Sequence, residues 1–392
     1  MLQIDVQEQI LDKLNALVVV LNNNGSAEYI SQSAAQLLGY QPNDLMGNNW
    51  WEVTRFNEPD GQQTKIKILK LFNKGMGTTE TFEHLFKTFT GAKKWIRWNV
   101  SYLNDTQLIG VGYDVTDKKL DEQKLLQSNK KLLEKNSSIT DSIFYAQRIQ
   151  QNSLQSADYI HNVFNTNFVL YKPKDIVSGD FYFFYQDEDT KYALAIDCTG
   201  HGVPGAMMSM VANSIIKEVL LNKKLKSASQ ILYELDKELF KSINSYGSEI
   251  SSDGMDVALV CINKKSNRLH FAGAFRPLLI VRTMAGTTTS QIIELKANRY
   301  PLGFYKDVNK VFEEQVILLQ PNDTINMFTD GYTDQFGGER NKKLNRKNFK
   351  DLLLTIADMP LNEQEAFLDY SLNNWKQDNE QTDDILVIGI KI

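Results

Sequence analysis

Residues 195–206 read Ala-Ile-Asp-Cys-Thr-Gly-His-Gly-Val-Pro-Gly-Ala, and this stretch decides the fold of the C-terminal half of the chain. The apolar run that starts at Tyr192 stops at Asp197, and a turn rich in glycine, with one proline, follows. Such a pattern predicts a strand that ends in a tight turn. Asp197 is therefore expected at the rim of a sheet.

Other aspartates occupy similar positions at the ends of predicted strands. Asp180 opens one strand, Asp330 follows the end of another, and Asp383 and Asp384 open the last one. Carboxylates that converge on one rim repel one another and lose hydration, and a divalent cation removes that cost. All-oxygen sites suit Mg²⁺ or Mn²⁺. Each aspartate taken alone also fits a turn cap, but the set together favours a metal site.

The 392-residue chain separates into three regions by pattern. Residues 10–117 alternate short apolar strands with turns, which predicts a small α+β domain with an antiparallel sheet. Residues 118–150 contain no glycine or proline and predict a long helix. Residues 151–392 combine clustered strands with helices of 3.6-residue periodicity, which predicts an α+β layered fold.

The predicted helix of residues 118–150 carries a heptad repeat. The d positions are Leu125, Leu132, Ile139 and Ala146, and the a positions that follow each of them are Asn129, Asn136, Ile143 and Gln150. Asparagine at an a position fixes the register and favours two parallel strands, at a cost in stability. The pattern predicts a coiled-coil linker in a parallel homodimer. A single amphipathic connecting helix is the alternative.

Six short motifs follow one another in the C-terminal region. They are VSGDFY at 177–182, Asp197 with GHGVPGA at 200–206, GMD at 254–256, AGA at 272–274, TDG at 329–331 and TDD at 382–384. In this order they closely resemble the SpoIIE-type branch of the PPM metal-dependent protein phosphatases. The resemblance implies an antiparallel β-sandwich flanked by helices, with a site for two Mn²⁺ or Mg²⁺ ions at one edge. It also implies hydrolysis of phosphoserine or phosphothreonine on a partner protein.

The resemblance assigns a role to each aspartate that it covers. Asp197 is expected to bridge both metals, and the backbone carbonyl of Cys198 to bind one of them. Asp330 and Asp383 are expected to complete the first metal, and Asp180 to serve the second, directly or through water. A water held between two cations is acidified and aimed in line at phosphorus, so no Ser or Cys nucleophile is required.

Four further points stay open in the sequence. Asp384 is the alternative to Asp383 as the metal ligand. His201 is a candidate general acid, with a structural hydrogen bond in the turn as the alternative. Lys174 is a candidate contact for the phosphate, with a solvated lysine as the alternative. At Phe275-Arg276 relatives often carry asparagine, and this departure is expected to affect substrate fit and to leave the metals untouched.

The N-terminal region resembles a PAS domain. The residues that carry this resemblance are Asn-Gly at 24–25, AAQLLGY at 34–40, DLMG at 44–47 and GVGYDVTD at 110–117. PAS domains commonly sense small ligands or dimerise. The resemblance therefore implies a small ligand of unknown identity.

Composition narrows the possible partners. The 43 basic and 48 acidic residues give a formal charge of −5, so a chain-wide basic field for nucleic acid or an anionic membrane is absent. Apolar runs are strand-sized and do not approach the roughly 18 residues of a membrane helix. Two cysteines do not indicate a disulfide framework, and a reduced, cytoplasmic setting is expected.

Taken together, the sequence predicts a cytoplasmic signalling phosphatase under the control of a PAS-like sensor. The resemblance implies a phosphorylated regulatory protein as substrate, for example a STAS-type anti-sigma-factor antagonist. The basic segment of residues 340–350 could attract an acidic phosphoprotein, or it could be a solvated helix start. The alternative function is a catalytically silent binding module that docks a signalling partner. Such a module has no need to keep the four aspartates Asp180, Asp197, Asp330 and Asp383 together.

Overall fold

A computed structural model of the chain describes residues 16–74, 77–223, 225–244, 253–283, 289–304 and 310–392. The chain divides into two compact units, Met1–Asn136 and Ser137–Ile392. Residues 10–15, the start of the predicted PAS-like domain, lie outside the described residues. In the described ranges, none of the helices has the length and apolar character needed to cross a bilayer.

The N-terminal unit is a five-stranded antiparallel sheet with short helices. Its strands are β1 (Leu17–Asn22), β2 (Ala27–Ile30), β3 (Thr79–Lys87), β4 (Lys93–Asn104) and β5 (Gln107–Asp114), in the spatial order β2-β1-β5-β4-β3. Its helices are α1 (Gln32–Leu38), α2 (Asn49–Val53) and α3 (Glu58–Leu69). The turn between β1 and β2 is built by Asn22, whose Oδ1 accepts from the backbone N–H groups of Asn24 and Ser26 at 3.0 Å. The predicted α+β domain with an antiparallel sheet is confirmed.

One continuous helix, α4 (Thr116–Ser153), follows the N-terminal sheet. Its 38 residues span about 57 Å at 1.5 Å per residue. Leu125, Leu132 and Ile139, which are heptad d positions, are 57–62% exposed although they are apolar. Gln150, an a position near the end of the same helix, is buried against the C-terminal unit, to which it belongs.

The C-terminal unit is a β-sandwich of two five-stranded sheets. One sheet has the order β13-β10-β9-β8-β7 and the other the order β12-β11-β14-β17-β6. Their strands are β6 (Asn167–Lys172), β7 (Asp180–Gln186), β8 (Thr190–Cys198), β9 (Met255–Asn263), β10 (Arg268–Ala274), β11 (Leu278–Thr283), β12 (Ser290–Leu295), β13 (Gln315–Leu318), β14 (Thr324–Phe328) and β17 (Ile385–Lys391). A small hairpin consists of β15 (Phe336–Gly337) and β16 (Lys342–Lys343).

Helices cover both outer faces of this sandwich. They are α5 (Ala157–Val163), α6 (Gly202–Asn222), α7 (Ala228–Asn244), α8 (Asp330–Asp334), α9 (Asn345–Thr355) and α10 (Leu361–Lys376). On β8, Ala193 and Ala195 pack between the two sheets, while Leu194 and Ile196 pack in the cluster that contains the apolar faces of α6 and α7. The side chains of α9 and α10 pack against the second sheet. The predicted sandwich flanked by helices is confirmed.

Both cysteines of the chain lie inside this unit. Cys198 ends β8 and Cys261 lies on β9, and both are buried free thiols. Burial raises the pKa of each thiol well above its usual value, so the thiolate is disfavoured at both positions.

Candidate active site

Strand register brings three aspartates into one row at the edge of the first sheet. Asp180 on β7 lies directly opposite Asp197 on β8, and Asp197 lies directly opposite Asp256 on β9. Directly opposed residues of antiparallel strands project from the same face of a sheet. Asp256 was not predicted as a site residue. Its position two residues after Gly254, at the start of a strand, is the sequence signal that could have identified it.

The second sheet contributes Asp330 and Asp383 to the same edge. Asp330 follows β14 as the first residue of α8, and Asp383 lies just before β17, the neighbour of β14. Gly331 is in close contact with this second segment, since a Cβ atom there would lie 1.9 Å from the carbonyl oxygen of Asp384. The absence of a side chain at Gly331 thus allows the two aspartate-bearing segments to approach each other.

Arg276 lies between three of these carboxylates. Its Nη2 is 2.6 Å from Asp197 Oδ2, 2.9 Å from Asp256 Oδ2 and 2.8 Å from Asp330 Oδ2. The preceding Phe275 has a positive φ of 56°, and this left-handed turn after β10 leads the chain to Arg276. The guanidinium therefore bonds to two of the predicted metal ligands, Asp197 and Asp330, whereas the expectation that the Phe275-Arg276 departure leaves the metals untouched stays a prediction.

This cluster contains more carboxylates than positively charged side chains that bond to them. Burial raises the pKa of Asp197 to about 7; Arg276 opposes this rise, and the charges of Asp330, Asp256 and Asp383 add to it. Burial also raises the pKa of Asp256 to about 6, against the effect of Arg276. The guanidinium of Arg276 thus offsets only part of the repulsion between these aspartates. A cluster of carboxylates with uncompensated negative charge favours the binding of further cations.

Asp180 is the most buried member of the row, with 2% exposure. Burial first, and then the charge of Asp197, raise its pKa well above the usual value. The hydroxyl of Thr329 donates to Asp180 Oδ2 at 2.6 Å, and the same hydroxyl oxygen accepts from the backbone N–H of Leu386 at 3.0 Å. Thr329 therefore fixes Asp180 of the first sheet against β17 of the second.

Asp383 and Asp384 have different environments. Asp384 is 3% exposed, and both of its oxygens accept backbone hydrogen bonds, Oδ1 from Lys174 and Oδ2 from Gly179, each at 2.7 Å. Asp383 is more exposed, and its charge is one of those that raise the pKa of Asp197. Asp383 accepts at Oδ1 from the backbone N–H of Asp384 at 2.8 Å, whereas both oxygens of Asp384 are engaged and buried, and this difference favours Asp383 as a ligand.

The turn after β8 packs through its glycines. A Cβ atom at Gly205 would lie 2.2 Å from the carbonyl oxygen of Gly200, and one at Gly179 would lie 2.4 Å from that same oxygen and 3.2 Å from the carbonyl oxygen of Cys198. The Cys198 carbonyl is thus next to Gly179, the residue before Asp180. The glycines bring the two backbone segments that carry Asp180 and Asp197 into contact.

His201 and Lys174 bind each other beside the carboxylates. Lys174 Nζ lies 3.0 Å from His201 Nε2, and His201 Nδ1 lies 2.8 Å from Asp175 Oδ2. With a charged lysine, Nε2 accepts the hydrogen bond from the ammonium and Nδ1–H donates to Asp175. A ring nitrogen that accepts has no proton to give, so this arrangement favours the structural interpretation of His201.

A cleft of about 380 Å³ adjoins the carboxylates. Asp256, Arg276 and Asp330 line it together with Lys343 and Arg346. Both of these basic residues come from the segment of residues 340–350, and about half of each side chain is exposed. Lys343 pairs with Asp334, another lining residue, at 2.6 Å, and Arg346 lies 3.8 Å from Glu294, so the cleft combines an acidic cluster with basic side chains that are paired and half exposed.

The donor set fits hard divalent cations, since oxygen is its only ligand atom and its negative charge is undercompensated. Within the described ranges, no three His, Cys, Asp or Glu side chains yet have the arrangement of a formed ion site. We attribute this to Arg276, whose Nη2 lies where the oxygens of Asp197, Asp256 and Asp330 converge. Binding of an ion at that point requires the guanidinium to give up these contacts.

Two face-to-face sheets between helical layers, with aspartates at one edge, define the PP2C type of protein phosphatase fold. The SiaA-PP2C domain of Pseudomonas aeruginosa is 30% identical to this chain, with a TM-score of 0.59 over 66% of this chain and 98% of that domain. The PP2C phosphatase domain of SpoIIE from Bacillus subtilis, with a fragment of its regulatory domain, is 16% identical (58% and 62% coverage, TM-score 0.47). The RsbU and RsbW domains of a Mycobacterium tuberculosis protein are 17% identical (57% and 59% coverage, TM-score 0.46).

The family model of Stage II sporulation protein E (SpoIIE) matches residues 188–392, and a PAS domain model matches residues 15–117. A comparison with curated proteins gave no match. The chain belongs to the SpoIIE family of PPM phosphatases and carries a PAS domain before its catalytic region. It is a protein serine/threonine phosphatase of a metal-dependent family, and the family resemblance found in the sequence is confirmed.

Proposed function

We propose that the C-terminal unit dephosphorylates serine or threonine on a regulatory phosphoprotein, and that the PAS domain controls this activity through α4. The observation that carries the proposal is the convergence of Asp197, Asp256 and Asp330 on one cationic point beside an open cleft. A docking module without activity has no need for this costly concentration of buried carboxylates.

In this proposal two Mn²⁺ or Mg²⁺ ions are held by Asp180, Asp197, Asp330, Asp383 and the carbonyl of Cys198, and Asp256 supplies a further oxygen. When bound, the ions supply an acidified water and polarise the phosphoryl group. Thr329 keeps Asp180 oriented through its 2.6 Å hydrogen bond. Asp384 holds the segment that carries Asp383 in place through its two backbone bonds.

Arg276 has two successive partners in this proposal. In the described structure it binds three carboxylates, and its buried Nε has no hydrogen-bond partner. A guanidinium released from the carboxylates would lie beside the cleft, where its fork matches two oxygens of a phosphoryl group. We therefore propose that Arg276 neutralises the aspartates in the ion-free protein and contacts the substrate phosphate in the loaded one.

The substrate is expected to be an acidic phosphoprotein. Lys343 and Arg346 line the cleft and pair with Asp334 and Glu294, and about half of each basic side chain stays exposed to a partner on a chain whose formal net charge is −5. A local patch of opposite charge steers and orients an acidic partner. The family resemblance adds the more specific expectation of a STAS-type anti-sigma-factor antagonist. The two unpaired cysteines support a reducing, cytoplasmic location.

Control is proposed to pass through Gln150, near the end of α4. Its Nε2 donates to the carbonyl of Ser178 at 2.6 Å and to the hydroxyl of Ser209 at 2.9 Å, and its Oε1 accepts from the backbone N–H of Ser178 at 3.1 Å. Ser178 lies two residues before Asp180. A rotation or shift of α4 would therefore act on the backbone that positions this carboxylate.

The exposed heptad positions of α4 support a parallel homodimer. Leu125, Leu132 and Ile139 leave more than half of their surface exposed in a single chain. Burial of such a stripe against the same stripe of a second copy would bring two PAS domains to one end of a two-stranded linker. A change of register in this linker is the proposed signal that reaches Gln150.

The test is the turnover of a phosphoserine peptide by the full chain with Mn²⁺ and with a chelator. We expect turnover that requires Mn²⁺ and that Asp197→Asn reduces to background. Asp189→Asn is the matched control, because this exposed aspartate of the β7–β8 hairpin pairs with Lys226 and Lys265 away from the site. Folded wild-type protein without turnover under any of these conditions would support the silent docking module instead.

The control pathway is tested separately. Gln150→Ala should change Mn²⁺-dependent turnover, whereas Gln151→Ala, at the exposed neighbouring position, should not. Equal rates in both variants would remove Gln150 from the pathway and leave the catalytic assignment intact.

A further inference from the structure

A buried arginine lies among aromatic side chains in the core of the N-terminal unit. Arg55 is 3% exposed, and its guanidinium carbon lies 3.8 Å from the ring centre of Phe86 and 5.6 Å from that of Trp51. In the described part of the chain its hydrogen bonds go to Thr54, with Nη1 at 3.0 Å from the hydroxyl and 3.4 Å from the carbonyl oxygen. The charged guanidinium of Arg55 thus donates its hydrogen bonds to two neutral groups of Thr54.

The described fold gives this arginine only a distant counter-charge, the carboxylate of Asp60. Among the described residues Arg55 makes no ion pair. The negative charge of Asp60 acts on Arg55 electrostatically, but the Asp60 carboxylate itself bonds to His84 Nε2 at 3.2 Å. Burial lowers the pKa of Arg55 to about 9, and the charge of Asp60 opposes this shift only in part. A desolvated cation without an anion is costly, so its retention points to an anion that comes from outside the chain.

Two unsatisfied donors accompany this charge. Arg55 Nε and Trp98 Nε1 are both buried and have no hydrogen-bond partner. Both side chains line one cavity of about 20 Å³, whose walls include Trp50 and Phe86. A cavity of this size holds about one water-sized group, such as a single oxygen atom, and buried donors of this kind are normally satisfied.

A larger groove begins at the same arginine. Arg55 and Trp51 line the small cavity and also a groove of about 610 Å³, to which Lys65 and Lys87 contribute. A ligand in the groove would therefore lie beside Arg55, which also lines the cavity. Positive side chains in the groove favour an anionic ligand over a cationic one.

We propose that Arg55 and Trp98 bind the carboxylate of a small organic acid, and that the remainder of the acid occupies the groove. A guanidinium fork matches the two oxygens of a carboxylate, and an indole N–H adds a third donor. The aromatic walls favour a singly charged carboxylate over a phosphate dianion, which loses more hydration on burial. The N-terminal unit is thus a sensor for an organic acid.

Calorimetric titration of the full chain tests this ligand class. The probes are acetate, propionate and benzoate, compared with acetamide and benzamide, and with nitrate and phosphate at constant ionic strength. We expect saturable binding of at least one carboxylate and none of its amide. Failure of all three carboxylates, equal binding of the amide, or preferential binding of nitrate or phosphate would each overturn the proposal.

Variants test the residues. Arg55→Met should weaken binding of the responsive carboxylate about tenfold or more, and Trp98→Phe should weaken it less, since one donor is lost and the ring stays. Without ligand, Arg55→Met should melt at the same temperature as wild type or higher, because an uncompensated buried charge is removed. Arg97→Met is the control, since Arg97 pairs with Glu83 outside the cavity. Unchanged affinity in both cavity variants, or a lower melting temperature for Arg55→Met, would make Arg55 a structural residue and overturn the proposal.

Discussion

The neighbouring residues Asp383 and Asp384 should respond in opposite ways to the same substitution. In Asp384→Asn the two buried oxygens that accept from Lys174 and Gly179 become one oxygen and one amide nitrogen. One charge-assisted bond is lost, worth about 1.5–3 kcal/mol, and an N–H then faces a backbone N–H. Burial, and to a smaller extent Asp383, raise the pKa of Asp384, so neutralisation returns part of that loss. We expect a net destabilisation of about 2 kcal/mol.

For a unit of this size, about 2 kcal/mol corresponds to a decrease in Tm of roughly 4–8 °C. Asp383→Asn should instead leave the chelator-treated protein as stable as wild type or more stable, because it removes a charge that acts on Asp197 and Asp384. Its Mn²⁺ affinity should fall by at least about 10–100-fold, the usual loss even for residues that only support a ligand. The two variants therefore separate structural support from metal binding.

Scanning calorimetry with EDTA and with increasing Mn²⁺ measures both quantities, because an ion at free concentration c that binds the folded state stabilises it by RT ln(1 + c/Kd) and raises Tm accordingly. Turnover of an aryl phosphate gives a second readout. If Asp384→Asn kept the wild-type Tm in EDTA and lost the response to Mn²⁺, while Asp383→Asn kept that response, the ligand would be Asp384 and the reasoning would be refuted.

Three further outcomes are expected. Gly331→Ala should lower both Tm and Mn²⁺-dependent turnover, since its Cβ would lie 1.9 Å from a carbonyl oxygen of the adjoining segment, and wild-type values for both would contradict the close packing. His201→Gln should affect phosphoserine peptide and aryl phosphate alike, because Nε2 accepts from Lys174; a selective loss on the peptide would restore the general acid. Replacement of both Asn129 and Asn136 by Ile should strengthen a dimer in sedimentation experiments, and a strictly monomeric protein at micromolar concentration would reduce the linker to a tether.

The sequence predicted those parts of the site that depend on local pattern. Asp180 and Asp330 stand next to glycines, and Asp197 precedes a glycine-rich turn, so the place of all three at a sheet rim followed from the local sequence pattern. The row that includes Asp256 depends on the register of three strands, which places Asp256 opposite Asp197, 59 positions earlier in the chain. The hydrophobic pattern within a single strand does not show which residue of the neighbouring strand lies opposite each of its own residues.

Arg276 shows a second reason why part of the site could not be predicted from the sequence. Its contacts join positions 54 and 79 residues away, and they depend on a left-handed turn at Phe275, a residue type that gives no local signal for such a turn. The motif alone favoured Asp383 over Asp384, and the physical reason for this prediction, the backbone N–H groups of a distant loop that bond to Asp384, was not visible in the sequence.

The buried thiols of Cys198 and Cys261 offer a direct way to observe the catalytic unit alone. An alkylating reagent such as N-ethylmaleimide reacts with them only in molecules whose β8 or β9 has opened, since the thiolate is disfavoured in the closed fold. The chain has no other cysteine, so each labelled molecule gains one or two mass increments, and the N-terminal unit contributes none. Labelling rates measured by mass spectrometry would thus report how often the central strands open, in the intact protein and without a signal from the N-terminal unit.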